Sequence, residues 1–160
     1  MPRLLLLSNS KNAGQPYLEH AREAIAALLG AVREVVFIPY AGVQIPPRDY
    51  TARVGEAFAG LMISVRAVTE SSDPVAMVRD AEAVVVGGGN TFQLLKRVAE
   101  TGLLEVLRAR ARAGMPYLSW SAGSNLACPT IRTTNDMPVV EPPSLQSLGL
   151  VPFQINPHYS

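Results

Sequence analysis

Ser121 is the side chain best placed for nucleophilic chemistry, because of what surrounds it. Upstream, Pro116-Tyr117-Leu118-Ser119 reads as a short buried strand, and downstream Ala122-Gly123-Ser124-Asn125-Leu126-Ala127 reads as the small-residue start of a helix. A serine on so tight a strand-to-helix turn is pushed out of the sheet plane, and the N–H that follows it can meet a developing oxyanion. The spacing is that of Gly-x-Ser-x-Gly with Ser119 in the first place, so the segment reads as a catalytic elbow or as an ordinary glycine-containing connection. Gly87-Gly88-Gly89-Asn90 is the second notable stretch. A dinucleotide loop would need a third glycine where Phe92 stands, and no phosphate-binding lysine follows. Close backbone approach fits better: Gly89 and Ala122 would supply two oxyanion donors, the alternative being a tight turn into the next helix.

A serine nucleophile needs a base, and the chain has two histidines. His20, beside Glu19 and Arg22, reads as a solvated surface residue. His158 follows an apolar segment and Asn156-Pro157, which makes it the one credible base, in the order serine then histidine. Cys128, about two turns past Ser121, reads as a packed thiol, and Trp120 as core or pocket wall. Arg132-Thr133-Thr134-Asn135-Asp136 is a dense polar cluster. It reads as a turn held by side-chain hydrogen bonds, or as a clamp in which an arginine fork and hydroxyls grip a substrate carboxylate. Asn90, Arg132 and Thr133 are therefore the candidate substrate-binding residues. One cysteine and two histidines make no zinc ligand set, so neither metal nor cofactor is expected.

These residues must be positioned by a sheet. Five apolar runs read as strands: Arg3–Ser8, Val35–Pro39, Met62–Val68, Ala83–Val86 and Pro116–Trp120. Several are continuous rather than alternating, which indicates burial on both faces and a parallel sheet. Helical spacing runs from Tyr17 to Leu29 with Gly30 as a stop, and Asp49 is a cap for a helix to about Gly60. Asp73-Pro74 is a cap and first-turn pair for a helix to Asp80, and Thr91–Glu100 and Leu103–Ala113 form two more. The alternation predicts a single α/β domain over residues 1–160, a doubly wound and mostly parallel sheet with helices on both faces. In such a sheet Ser8-Asn9-Ser10, Gly87–Asn90 and Ser121 all emerge at one edge, beyond the strands' carboxyl ends. The stretch from Cys128 to Leu150 reads as a long loop, functional or mobile, followed by a further strand at Val151–Ile155.

Composition narrows the function classes. Apolar residues make up 48% and charged residues 17%, with a net charge of +1 and no basic run, so neither nucleic acid nor a membrane surface is an expected partner. No apolar run approaches the ~20 residues that span a bilayer. The single cysteine excludes an internal disulfide, and the N-terminus lacks a secretion signal, so a cytoplasmic setting is expected.

Taken together, Leu4–Ser10, Phe37–Gly42, Val86–Leu95, the long run Trp120–Pro138 and Gln154–His158 resemble the peptidase E family across the whole chain. That family comprises α-aspartyl dipeptidases, serine peptidases of the class I glutamine-amidotransferase-like fold. The resemblance implies hydrolysis of dipeptides and short peptides with an N-terminal aspartate, Ser121 as nucleophile, His158 as general base, and Gly89 and Ala122 as the oxyanion hole. It also implies a third triad member, a glutamate beyond this histidine, so the domain is expected to be incomplete at its C-terminus relative to the family. Asp136 and Glu141 are the acids within the chain that could substitute. Besides a small aspartyl peptide, the expected partners are a separate chain carrying the C-terminal part and, in a homodimer, a second copy. Without the acid, the alternative is an inactive fragment or a non-catalytic module that binds aspartyl peptides.

Overall fold

The computed structural model describes residues 2–157. Its centre is a five-stranded parallel sheet of β1 (Leu4–Leu7), β2 (Glu34–Ile38), β3 (Ser64–Ala67), β4 (Val84–Val86) and β5 (Tyr117–Trp120), in the order β1-β5-β4-β2-β3. The Val- and Leu-rich runs are strands because both their faces are covered. Val36, Ile38, Val84, Val86 and Tyr117 pack on one side of the sheet, and Val35, Phe37, Val85, Leu118 and Trp120 on the other. Helices α1 (Arg22–Leu29) and α2 (Pro47–Ala59) cover the second face through Ile25, Leu29, Tyr50, Val54 and Phe58. Helices α3 (Pro74–Arg79), α4 (Thr91–Glu100), α5 (Leu103–Arg112) and α6 (Ala122–Ala127) cover the first, through Val78, Leu94, Leu95, Leu103, Leu107 and Leu126. This is the doubly wound α/β architecture that the sequence predicts. At the β1 edge, Leu4–Leu7 are only half buried.

Three local expectations differ from what forms. Tyr17–Leu29 is not one helix: Leu18 adopts a left-handed φ of 63°, a short 3-10 turn spans Glu19–Ala21, and the α-helix starts at Arg22. Asp49 does not cap α2, which begins at Pro47, where a missing N–H costs nothing. Val151–Ile155 is not a strand but a series of bends, with Phe153 exposed and the Gln154 side chain tied to Thr130 at 2.5 Å. By contrast, Asp73 caps α3 as its spacing predicts, its Oδ1 accepting from the Ala76 N–H at 3.1 Å.

The long loop after α6 is irregular but firmly held. The Leu148 and Leu150 N–H groups donate to the Leu126 and Ala127 carbonyls, each at 2.8 Å. Arg108 of α5 donates to the Ser147 and Leu148 carbonyls, both at 2.9 Å. Nearly every backbone group in a packed loop must find such a partner.

Candidate active site

β5 lies between β1 and β4, so the residue after it emerges between the carboxyl ends of both neighbours. That residue is Ser121. Its backbone sits at φ 51° and ψ −114°, a conformation that costs a non-glycine residue about 1–3 kcal/mol. The strain is held from both sides: the Ser121 N–H donates to the Leu7 carbonyl at 3.0 Å, and its own carbonyl accepts from Ser124 and Asn125 as α6 begins. The Ser121 hydroxyl donates to the Ser8 carbonyl at 3.0 Å. The positive φ is that of a sharp strand-to-helix turn, and the half-buried Ser121 lines a cleft.

Ser119 is accommodated by its neighbours. It is fully buried, and its hydroxyl lies 3.0 Å from that of Ser124, which donates to the Leu7 carbonyl at 2.7 Å. Gly123 is required beside it, since a Cβ there would stand 2.3 Å from the Val86 carbonyl oxygen and 2.9 Å from the Ser119 Cβ. The missing side chain is what lets α6 start hard against the sheet.

The second wall is the loop after β4. Gly89 has φ +143°, and a Cβ on it would lie 2.1 Å from the Ala41 carbonyl oxygen, so no other residue fits. The loop is fastened by Asn90, whose N–H donates to the Ala41 carbonyl at 2.7 Å. Among the described residues, the N–H groups of Gly89 and Ala122 have no hydrogen-bond partner, and both residues line the cleft above Ser121. Tyr50 sets the orientation of the first. Its hydroxyl donates to the Gly88 carbonyl at 2.9 Å and accepts from the Trp120 indole N–H at 3.1 Å. In a trans peptide, a carbonyl held toward Tyr50 turns the Gly89 N–H the opposite way. Tyr50→Phe is expected to lower kcat roughly tenfold with little change in KM. It should also cost about 1–3 kcal/mol by orphaning the buried indole. Steady-state kinetics and urea unfolding on one preparation check both effects.

The cleft has a volume of about 580 Å³. Besides Ser121, Ala122, Gly88 and Gly89, its lining includes Ser10, Tyr17, Tyr50, Arg53, Asn125, Asp136 and Pro157. Tyr17 packs edge-on against Trp120 with ring centroids 5.8 Å apart, and Tyr50 against Phe37 at 5.0 Å. Burial holds both phenol pKa values above their ordinary range, the neighbouring Tyr50 adding to the effect on Tyr17. Burial does the same for Tyr117, whose hydroxyl donates to the Gly123 carbonyl at 2.8 Å. These hydroxyls therefore act as neutral donors. The unfolded chain would ionise them at about pH 10 while the folded chain resists, so stability is intact below that pH and falls as pH rises through and beyond it. Thermal midpoints are expected to hold to about pH 9 and drop steeply above about pH 10. A scan from neutral to strongly alkaline buffer tests this, and a midpoint that stays level would contradict it.

The sequence-chosen binding residues fare unevenly. Asn90 lines the cleft, but its side chain is engaged in structure: Oδ1 caps α4 by accepting from the Gln93 N–H at 3.1 Å, and Nδ2 donates to the Met137 carbonyl at 2.6 Å. Arg132 is exposed and does not line the cleft, nor does Thr133, whose hydroxyl donates to the Ile155 carbonyl at 2.5 Å. The polar cluster thus acts largely as the hydrogen-bonded turn of the two readings. Asp136 Oδ2 accepts from the Thr91 N–H at 2.8 Å and from its hydroxyl at 2.5 Å, joining the cluster to the start of α4. Asn125 donates to the Ile155 carbonyl at 3.0 Å and Asn135 to the Asn156 side chain at 2.8 Å, joining the same region to the segment before His158. His158 lies outside the described residues, while Pro157 before it lines the cleft. Glu141 is exposed and lines a separate groove with Phe92 and Pro138. Cys128 is buried, as expected of a packed thiol, and burial raises its pKa. His20 is half-buried rather than fully solvated, with a buried Nδ1 that has no partner among the described residues.

Tyr17, Tyr50 and Arg53 escaped the sequence reading. The signal was present for two of them: Arg53 follows Tyr50 by three residues, so the pair shares one face of α2. Among the described residues no helix is long and apolar enough to cross a membrane, and no three His, Cys, Asp or Glu side chains gather as metal ligands would.

The chain is similar to known proteins over nearly its whole length. A Peptidase E from Citrobacter koseri is 54% identical over 157 residues, covering 98% of this chain and 69% of its own. A Peptidase E from Streptomyces coelicolor is also 54% identical, covering 98% of this chain and 63% of its own. The chain thus spans about two thirds of the length of these curated relatives. A crystal structure of a candidate peptidase E protein from Listeria monocytogenes superimposes with a TM-score of 0.77 at 25% identity, over 96% of this chain and 77% of that one. A peptidase from an acI-B1 Actinobacterium shares the fold, with a TM-score of 0.67 at 17% identity over 92% of this chain and 64% of its own. Residues 4–160 match Peptidase family S51, and the chain belongs to that family.

Proposed function

We propose that the protein is a serine peptidase that hydrolyses dipeptides and short peptides with an N-terminal aspartate. The observation that supports this most is the strained Ser121 elbow, set in a cleft beside the N–H groups of Gly89 and Ala122. In this reading His158 takes the Ser121 proton, and Ser121 Oγ attacks the carbonyl carbon of the aspartyl residue. The oxyanion forms against Gly89 and Ala122. Protonated His158 then gives its proton to the departing amine, leaving an aspartyl-enzyme ester. Water, deprotonated by His158, attacks the ester, and Ser121 recovers its proton. The segment carrying the base is braced by Asn125, Thr133 and Asn135 through their bonds to Ile155, Asn156 and Pro157. Asp136 is engaged with Thr91 and Glu141 lies in another groove, so the acid orienting His158 is assigned to neither. Following the family resemblance, it is a glutamate supplied from outside these 160 residues, and the setting is cytoplasmic.

The test is hydrolysis of Asp-Leu against Asn-Leu and Ala-Leu by the purified protein, with its intact mass taken under denaturing conditions. Turnover of Asp-Leu at least tenfold above the other two supports the reading. Equal turnover of all three would remove the aspartyl preference, and binding without turnover would favour the non-catalytic module.

A further inference from the structure

Arg53 lines the catalytic cleft and has no counter-ion among the described residues. It lies on α2 one turn after Tyr50, and α2 is anchored to the sheet by Tyr50, Val54 and Phe58. That anchoring places Arg53 at the cleft, where it is the one cationic side chain among the described lining residues. Its charge reaches the hydroxyls of Tyr17 and Tyr50, favouring their ionised forms against the opposing effect of burial. Arg53 is exposed, and among the described residues it pairs with no acid within 4.0 Å. The lining acid is Asp136, which already accepts two hydrogen bonds from Thr91.

The cleft therefore offers an entering anion one solvent-facing guanidinium. A guanidinium fork matches a carboxylate in charge and in donor geometry. Resting on the aspartyl-peptidase reading, we infer that Arg53 is the specificity residue that anchors a substrate carboxylate in this cleft, a role that Arg132, which does not line the cleft, does not fill. An aspartyl dipeptide offers two carboxylates, one on the aspartyl side chain and one at the C-terminus. Both lie three bonds from the scissile carbonyl carbon, so substrate variants must distinguish them.

The experiment compares the wild type with Arg53→Met and Arg53→Lys on Asp-Leu, Asn-Leu and Asp-leucinamide. Arg53→Met is expected to lose about 10- to 100-fold in kcat/KM on Asp-Leu, and Arg53→Lys to recover part of it. If the loss vanishes on Asn-Leu, Arg53 holds the side-chain carboxylate; if it vanishes on Asp-leucinamide, it holds the terminal one. An unchanged kcat/KM, or an equal loss on all three substrates, overturns the assignment. Titrating succinate into wild type and Arg53→Met keeps the question separate from turnover. If the wild type hydrolyses none of the peptides, the aspartyl reading has failed. Succinate binding weakened at least tenfold in Arg53→Met then still supports the anchor, and equal or absent binding overturns it.

Discussion

Ser121→Ala is expected to reduce kcat for aspartyl dipeptides on the order of 10⁴- to 10⁶-fold, the scale seen when the nucleophile of a catalytic triad is removed. The fold should survive. Alanine and serine face the same penalty at φ 51°, and the hydroxyl bond to the Ser8 carbonyl that the substitution removes is worth about 1 kcal/mol. The thermal midpoint should therefore shift by only a few degrees. Glycine makes an informative companion. Ser121→Gly should be equally inactive yet more stable than Ser121→Ala, because glycine enters the left-handed region without penalty. Activity assays and thermal melts of the three proteins check both parts. Substantial residual hydrolysis by Ser121→Ala would move the nucleophile elsewhere.

Gly89→Ala should be damaging for a different reason. A Cβ at this position would lie 2.1 Å from the Ala41 carbonyl oxygen and 2.5 Å from its carbon, both backbone atoms that cannot swing aside as a side chain can. The φ of +143° adds strain. A loss of about 2–4 kcal/mol in stability is expected, from clash and backbone strain together. The loop must also move, which carries the Gly89 N–H away from the place where we propose it meets the oxyanion. A fall in kcat of about 10²- to 10³-fold should follow, with KM changed much less. Gly55→Ala is the control. It lies in α2 with nothing within 4 Å of an added Cβ, and should stabilise the protein by about 0.5–1 kcal/mol without altering kinetics. Urea unfolding and steady-state kinetics on these variants separate catalytic from structural loss.

Much of this arrangement was legible before the structure. Val84-Val85-Val86 and Val35-Val36-Phe37-Ile38 announced a parallel sheet because only burial on both faces tolerates unbroken apolar runs. Parallel strands then bring Ser8, Gly87–Asn90 and Ser121 to one edge by topology alone. What sequence could not settle was which long-range partner each polar side chain takes. Thr133 looked suited to a substrate but is bonded to Ile155, and Asn90 is occupied by Gln93 and Met137. Arg132 stood beside the serine segment in sequence yet does not line the cleft, while Arg53, 68 positions from Ser121, does. Chain proximity misled because the cleft is assembled from the loops after β1, β2, β4 and β5. The expected strand at Val151–Ile155 failed for a related reason. An apolar run becomes a strand only where a sheet edge accepts it, and here Gln154 turns to Thr130 while Phe153 stays exposed.

The most direct test of Ser121 as nucleophile is to trap the aspartyl-enzyme. An aspartyl ester with a good leaving group, quenched in acid during turnover, should leave one aspartyl residue on the protein. Peptide mapping by mass spectrometry should place that adduct on the peptide bearing Ser121, and it should be absent from Ser121→Ala. An adduct on another residue such as Cys128, or continued turnover by Ser121→Ala, would contradict the assignment of the elbow serine as nucleophile.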